Sequence, residues 1–293
     1  KALLRHLSLP GNDDYTSAQL QLHIDGVSPF NASKTQLWPT LGRTVSELTS
    51  EPFIAGIYCG PSELSSAAQF LGDCINELRH LLRDGLQYTP ERTEQCSLRS
   101  VIRNTPARCF LRQVKGHSGC SCCDKCTQDG IRVARRLTFQ SSHSPLRTHE
   151  SFIRQSNPAH HIGDSPFCGI SIDMVPTFPL DYMHLVMERM LNLWLFSPVD
   201  RNLRLSANSV TVISARISDL QADFPRCCRS LTEVERWKAT EFSQFLLYIG
   251  PVVLRGILDP CKGRNFLDLL KCIHILSSSF VCNKFRFRLS VTH

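Results

Sequence analysis

"QLQLHIDGVS", residues Gln19–Ser28, alternates apolar and polar side chains and closes on the pair Asp25–Gly26. Alternation with period two is the pattern of a strand with one buried face. Asp-Gly alone is also a turn signal. Working outward, "KTQLWPTLGR" (Lys34–Arg43) reads as a second strand. "FIAGIYCG" (Phe53–Gly60), a continuous apolar run bounded by Pro52 and Gly60, reads as a buried third. In "SSAAQFLGDCINELRHLLRDGL" the apolar residues Phe70, Leu71, Cys74, Ile75, Leu78, Leu81 and Leu82 fall at helical spacing, with Gly85 as the C-terminal cap. "CSLRSVIRN" (Cys96–Asn104) is a fourth strand. "TPARCFLRQV" predicts a helix with Thr105 as its cap and Pro106 at its first position.

The order is strand, strand, strand, helix, strand, helix. A three-stranded meander, a crossover helix and a further strand begin a ribonuclease-H-like mixed α/β fold, though other mixed α/β folds begin similarly. The back half reads as mainly helical. "FPLDYMHLVMERMLNLWLF" (Phe178–Phe196), "LTEVERWKATEFSQFLLYIGPVVLRGIL" (Leu231–Leu258) and "NFLDLLKCIHILSSSF" (Asn265–Phe280) carry apolar stripes, and Pro251 should kink or break the second. The expected organisation is a core over residues 15–140, a linker-like insertion over 141–176, and a helical region over 177–293 that reads as truncated at its C-terminus.

The 293 residues are 42% hydrophobic, enough for a sizeable core, and carry 33 Lys plus Arg against 26 acids. The net charge of +7 permits a polyanionic partner without demanding one. The N-terminus lacks the apolar core and cleavage site of a secretory signal. No stretch reaches the about 18 apolar residues of a membrane span. The chain therefore reads as intracellular, where thiols stay reduced. Four of its 14 cysteines fall in "GHSGCSCCDKC" (Gly116–Cys126). A CxxC in that setting reads as metal-binding or redox before disulfide. Most of the others, such as Cys74, read as small buried hydrophobes.

Six blocks, "LHIDGVSPFNASKTQLWPTL", "FIAGIYCG", "NTPARCFLRQVKGHSG", "CDKCTQDG", "DMVPTFPLDYMHLV" and "RWKATEFSQFLLYIGPVVL", run in order from about Leu22 to Leu254. In that series the chain resembles metazoan transposase proteins related to CACTA (En/Spm) elements. The resemblance implies a ribonuclease-H-like catalytic domain with inserted zinc ligands and helices. Such a domain cuts phosphodiesters with two Mg²⁺ ions about 3.5–4 Å apart, held by carboxylates. The first acid would be Asp25. The second position, two residues before Pro-Ala, holds Asn104, whose amide brings no negative charge, so catalysis is expected to be impaired. The third acid would be Glu241 in "WKATEF", in preference to Glu188. Read without the resemblance, Asp25–Gly26 is a turn, and either glutamate is a solvated helix face.

The resemblance also implies a structural zinc ion, which takes four N or S ligands. Cys123 and Cys126 would supply two and His184 a third. His161 is the fourth choice, with His160 and His117 competing, and Cys120 and Cys122 are extra thiols. DNA, in the nucleus, is the implied partner, and a homo-oligomer is possible. "RVARR" (Arg132–Arg136) and "KFRFR" (Lys284–Arg288) could meet phosphates or simply face solvent. The leading expectation is thus a transposase-derived DNA-binding domain with structural Zn²⁺ and, if active, catalytic Mg²⁺. The alternative is a domesticated, non-enzymatic scaffold for DNA or protein. A pseudogene product is a third reading.

Overall fold

The computed structural model describes residues 3, 17–27, 35–45, 51–60, 66–133, 136–141, 143–180, 189–196, 204–220 and 228–277. The chain forms two compact units, Lys1–Asp181 and Tyr182–His293. The first is a mixed α/β unit with a five-stranded sheet, and the second is helical.

The sheet contains β1 (Ser17–Ile24), β2 (Gln36–Thr44), β3 (Phe53–Gly60), β4 (Leu86–Thr89) and β5 (Arg92–Ile102). Its order is β3-β2-β1-β5-β4. β1 pairs antiparallel with β2, β2 antiparallel with β3, and β1 parallel with β5. The parallel step follows from the crossover helix α1 (Ala67–Asp84), which returns the chain to the far side of β1. Alternation in β1 buries Ala18, Leu20, Leu22 and Ile24 on one face. Against them pack Leu71, Ile75 and Leu78 of α1.

α1 is capped as its sequence dictates. Ser66 accepts the Gln69 N–H at its start, and the Gly85 N–H donates to Leu81 O at its end. Gly85 has φ 76°, and a Cβ there would lie 2.7 Å from Glu94 O. That turn feeds β4, which hairpins onto β5. β4 is four residues at a hairpin edge, too few for periodicity to reveal it in the sequence.

Parallel pairing runs Leu20↔Leu98, then slips by one residue to Gln21↔Ser100, Leu22↔Val101 and His23↔Ile102. The extra residue is Arg99. Such a bulge flips the alternation downstream, and Ser100 and Val101 are accordingly both buried.

After β5 comes α2 (Thr105–Arg112). Its cap is Asn104 rather than Thr105: the Asn104 side chain accepts the Ala107 N–H at 3.0 Å. Asparagine caps better than threonine, and Pro106 tolerates the first turn because its missing N–H would be unpaired there anyway.

The loop 113–130, a short hairpin of β6 (Ile131–Val133) with β7 (Arg136–Thr138), and α3 (His149–Ile153) follow. The stretch read as a linker-like insertion packs into the first unit. Phe152, Phe167, Ile170 and Met174 all join its core, as does Phe178 beyond it.

In the second unit α4 (Arg189–Phe196), α5 (Ala207–Asp219), α6 (Ala239–Gln244), α7 (Gly250–Val253) and α8 (Pro260–Ser277) contribute to one core around Ile213, Trp237, Phe245 and Phe266. The expected break at Pro251 takes a specific form. A π-helical turn, Phe245–Ile249, precedes α7, and the Gly250 N–H donates to Phe245 O. Widening the turn relieves the clash between the proline ring and the preceding turn. No described helix is long and apolar enough to cross a membrane.

Candidate functional site

β1 ends at Ile24, and Asp25 is the next residue. β5 ends at Ile102, and Asn104 lies two residues beyond. The two strands are parallel neighbours, and the slip at Arg99 sets their offset so that Asn104, not Arg103, comes level with Asp25. The Asn104 Nδ2 donates to Asp25 Oδ1 at 2.7 Å. Both residues are half-buried.

The orientation of the Asn104 amide is fixed by its other bond. Its Oδ1 accepts the Ala107 N–H, so only the Nδ2 end can face Asp25. The Gly26 N–H also donates to Asp25 Oδ1, at 3.0 Å. Gly26 is glycine for a packing reason: a Cβ would lie 2.8 Å from Trp38 Cε2. The Trp38 ring in turn meets Phe70 and Phe110, tying this corner to α1 and α2.

Mg²⁺ requires oxygen ligands. Here an N–H donor points at one of the two Asp25 carboxylate oxygens, and the second position adds no carboxylate. The Asp25–Asn104 pair does not fit a catalytic Mg²⁺.

Glu241 belongs to the second unit and serves a helix start. Its Oε1 accepts from Arg229 Nε at 2.9 Å and from the Arg229 N–H. Its Oε2 accepts from Arg229 Nη2 at 2.8 Å and from the Lys238 N–H at 2.7 Å, closing the first turn of α6. The hydrogen bonds from Arg229 lead in holding its carboxyl down to about 2. Both oxygens are thus engaged within this unit. Glu188 lies outside the described residues.

The two cysteines of the expected zinc pair do meet. Cys123 and Cys126 Sγ atoms are 3.3 Å apart, and the Cys126 N–H approaches Cys123 Sγ at 3.4 Å. Burial pushes the Cys126 thiol up first, helped by its sulfur neighbour. Cys122 instead turns to His117 O at 3.7 Å, and Cys120 is exposed.

The histidines divide. His117 is exposed. His161 is tied by its backbone to Val114, and its ring sits edge-on to Phe152 at 4.7 Å. His160 is fully buried, and its Nδ1 lies 2.7 Å from Ser121 O. A carbonyl can only accept, so Nδ1 carries the proton and Nε2 presents a lone pair. That tautomer is the one metal-binding histidines commonly adopt. His184 lies outside the described residues. Among the described residues no three of His, Cys, Asp or Glu are grouped to hold a metal. The residues therefore fit half of a zinc site, two thiols of four ligands.

Of the basic stretches, Arg132 is exposed and its Nη2 donates to Ser118 O at 3.2 Å. Residues 284–288 lie outside the described set.

No model of a known protein family matches the chain, and no curated protein matches it.

Proposed function

We propose that the chain is a transposase-derived DNA-binding domain of ribonuclease-H-like architecture in which the metal-dependent cutting site has been disabled. The observation that carries this reading is the hydrogen bond from Asn104 to Asp25. Two parallel central strands end side by side, the positions where such a fold would hold its first two acids. One is an acid and the other an amide. The sheet order and directions support the same reading, since β3-β2-β1-β5 is a meander joined to a parallel strand through a helix.

The amide substitution removes one negative charge and puts a proton donor against the remaining one. A divalent cation approaching Asp25 must displace that donor and finds no second carboxylate at Asn104. The third acid of this reading is Glu241, which Arg229 would have to release. Cys123 and Cys126 would hold a structural zinc ion that cross-links the loop following α2, with His184 and one of His161 or His160 completing it. DNA contact would rest on the basic balance of the chain, and the nucleus would be its compartment.

The same contact favours a second reading, a domesticated scaffold that keeps the fold and binds DNA or protein without metal chemistry. Both readings expect binding without cutting. The wild-type protein should bind duplex DNA with an affinity that falls steeply as salt rises, because phosphate contacts release counterions. It should show no Mg²⁺-dependent nicking. Asn104→Asp should gain some nicking in Mg²⁺ or Mn²⁺, and adding Asp25→Ala should abolish the gain. Wild-type nicking as strong as that of Asn104→Asp would overturn the disabled-site reading. Salt-sensitive binding with no nicking by either protein would leave the scaffold.

A further inference from the structure

On α2 and beside it lies a group of arginines that the proposed function does not use. Arg103, Arg108, Arg112 and Arg147 are between 0% and 7% exposed. Arg108 Nη2 meets Asp124 Oδ2 at 2.7 Å, and Arg112 Nη1 meets the other oxygen of the same carboxylate. Arg103 lies over the Phe178 ring at 4.5 Å, and Arg112 lies over the Phe152 and Phe178 rings. Arg147 Nε donates to Cys123 O at 2.9 Å, and Arg103 Nη1 to Val101 O at 3.0 Å.

These bonds leave most of the donors unused. Arg103 Nε and Nη2, Arg108 Nε and Nη1, Arg112 Nε and Nη2, and Arg147 Nη2 are all buried without an acceptor among the described residues. Lys125, half-buried beside them, adds a further positive charge, its Nζ donating to Val175 O at 2.9 Å. Asp124 is the buried acid of the group, and Asp129, which acts on Arg147 from farther out, is exposed.

Water could take up the spare N–H groups but not the charge. A guanidinium stays protonated, and burying one without a counter-charge carries a large desolvation penalty even after relaxation. Stacking on Phe152 and Phe178 offsets only part of it. Zinc held by two thiolates would be electrically neutral and would not help. Among the described residues the shortfall is of negative charge, and its remedy is an anion.

We infer that this cluster, made of Arg103, the α2 arginines, the 121–126 loop and Arg147, is a binding site for a free tetrahedral oxyanion, phosphate or sulfate. Guanidinium forks match such oxyanions through paired N–H···O bonds. The unused donors belong to four side chains, and a tetrahedral oxyanion offers each of them an oxygen. Enclosure excludes a nucleic-acid backbone as the source, since a polymer cannot reach side chains this buried. The anion would enter as the unit folds and would bind the strand–helix turn bearing Asn104 to the cysteine loop bearing Asp124.

The test uses the whole chain, purified throughout in chloride. Acid denaturation followed by phosphate assay and ion chromatography should release about one oxyanion per folded chain, as one site holds one ion. Protein unfolded in urea and refolded without oxyanion should melt several degrees lower, and millimolar phosphate should restore the melting temperature saturably at matched ionic strength. A general salting effect would instead rise without saturating. In Arg103→Met the gap between phosphate and chloride should shrink, whereas a merely structural role would lower both melting curves equally. No released oxyanion together with identical melting in phosphate and chloride would overturn the site, and needs no variant. So would a saturable rise given by a short oligonucleotide duplex but not by phosphate.

Discussion

At the scale of the residue, Asn104 and Asp124 carry most of what is distinctive. Asn104 spends its one amide on two tasks, capping α2 with its oxygen and clasping Asp25 with its nitrogen. Asp124 meets two buried guanidiniums at once. Removing one partner of a buried ion pair costs about 3–5 kcal/mol, because the other is left unpaired. Asp124→Asn should therefore lower the stability of the first unit by at least that much in urea titrations, or prevent its folding. The second unit supplies a pH test. The Glu241 carboxyl is held at about 2, against an ordinary value of 4.5, by Arg229 first and the Lys238 N–H after it. A carboxyl lowered on folding stabilises fully above its unfolded pKa and loses that contribution as pH falls from about 4.5 towards 2. The pair is partly exposed, so solvent screening leaves only part of that contribution at pH 7. Glu241→Gln should lower the melting temperature of that unit at pH 7, with the difference fading below about pH 3. A difference that grows with acidity would contradict the ion-pair account.

At the scale of the element, the candidate site depends on a register that periodicity could not reveal. The strands β1, β2 and β5 and the helix α1 are legible, because alternation, helical spacing and the Gly85 cap each leave a sequence signature. β3 is a strand as its apolar run predicts but not a buried one: it lies at the edge of the sheet, with Ile54 61% and Ile57 59% exposed, because an apolar run does not say which strand ends a sheet. The slip at Arg99 leaves none, yet it brings Asn104 level with Asp25. The cap of α2 was misread by one residue, since Thr105 and Asn104 are both good caps and only geometry decides between them. Nothing in "IRNTPARCFLR" marks its arginines as interior residues, and only packing shows Arg103, Arg108 and Arg112 to be buried. Gly85 offers the sharpest element-level test. Its φ of 76° and the approach of Glu94 O both oppose a side chain. Gly85→Ala should cost about 1–2 kcal/mol, read as a lower urea midpoint with an unchanged slope. A neutral or stabilising outcome would mean that the α1–β4 turn is not as described.

At the scale of the whole molecule, one mixed α/β unit and one helical unit stand where the sequence put a strand-rich half and a helical half. The cysteine loop tests whether metal contributes to the first unit. Purified protein should carry about one zinc per chain, and Cys123→Ser should lose it and unfold more readily, because site binding is coupled to folding. Cys122→Ser, whose thiol turns away to His117 O, should keep both. Equal loss in the two variants would move the site to a different cysteine pair. The disabled cutting site is tested most directly by titrating Mn²⁺ into wild type, Asn104→Asp, and Asn104→Asp with Asp25→Ala, following bound ion by calorimetry or by the paramagnetic signal of free Mn²⁺. An amide against Asp25 should leave wild type with no tight site. Replacing the amide whose nitrogen lies 2.7 Å from Asp25 Oδ1 by a second carboxylate should give the single variant one, and the double variant should lose it. Tight Mn²⁺ binding by wild type, unimproved by Asn104→Asp, would contradict the account.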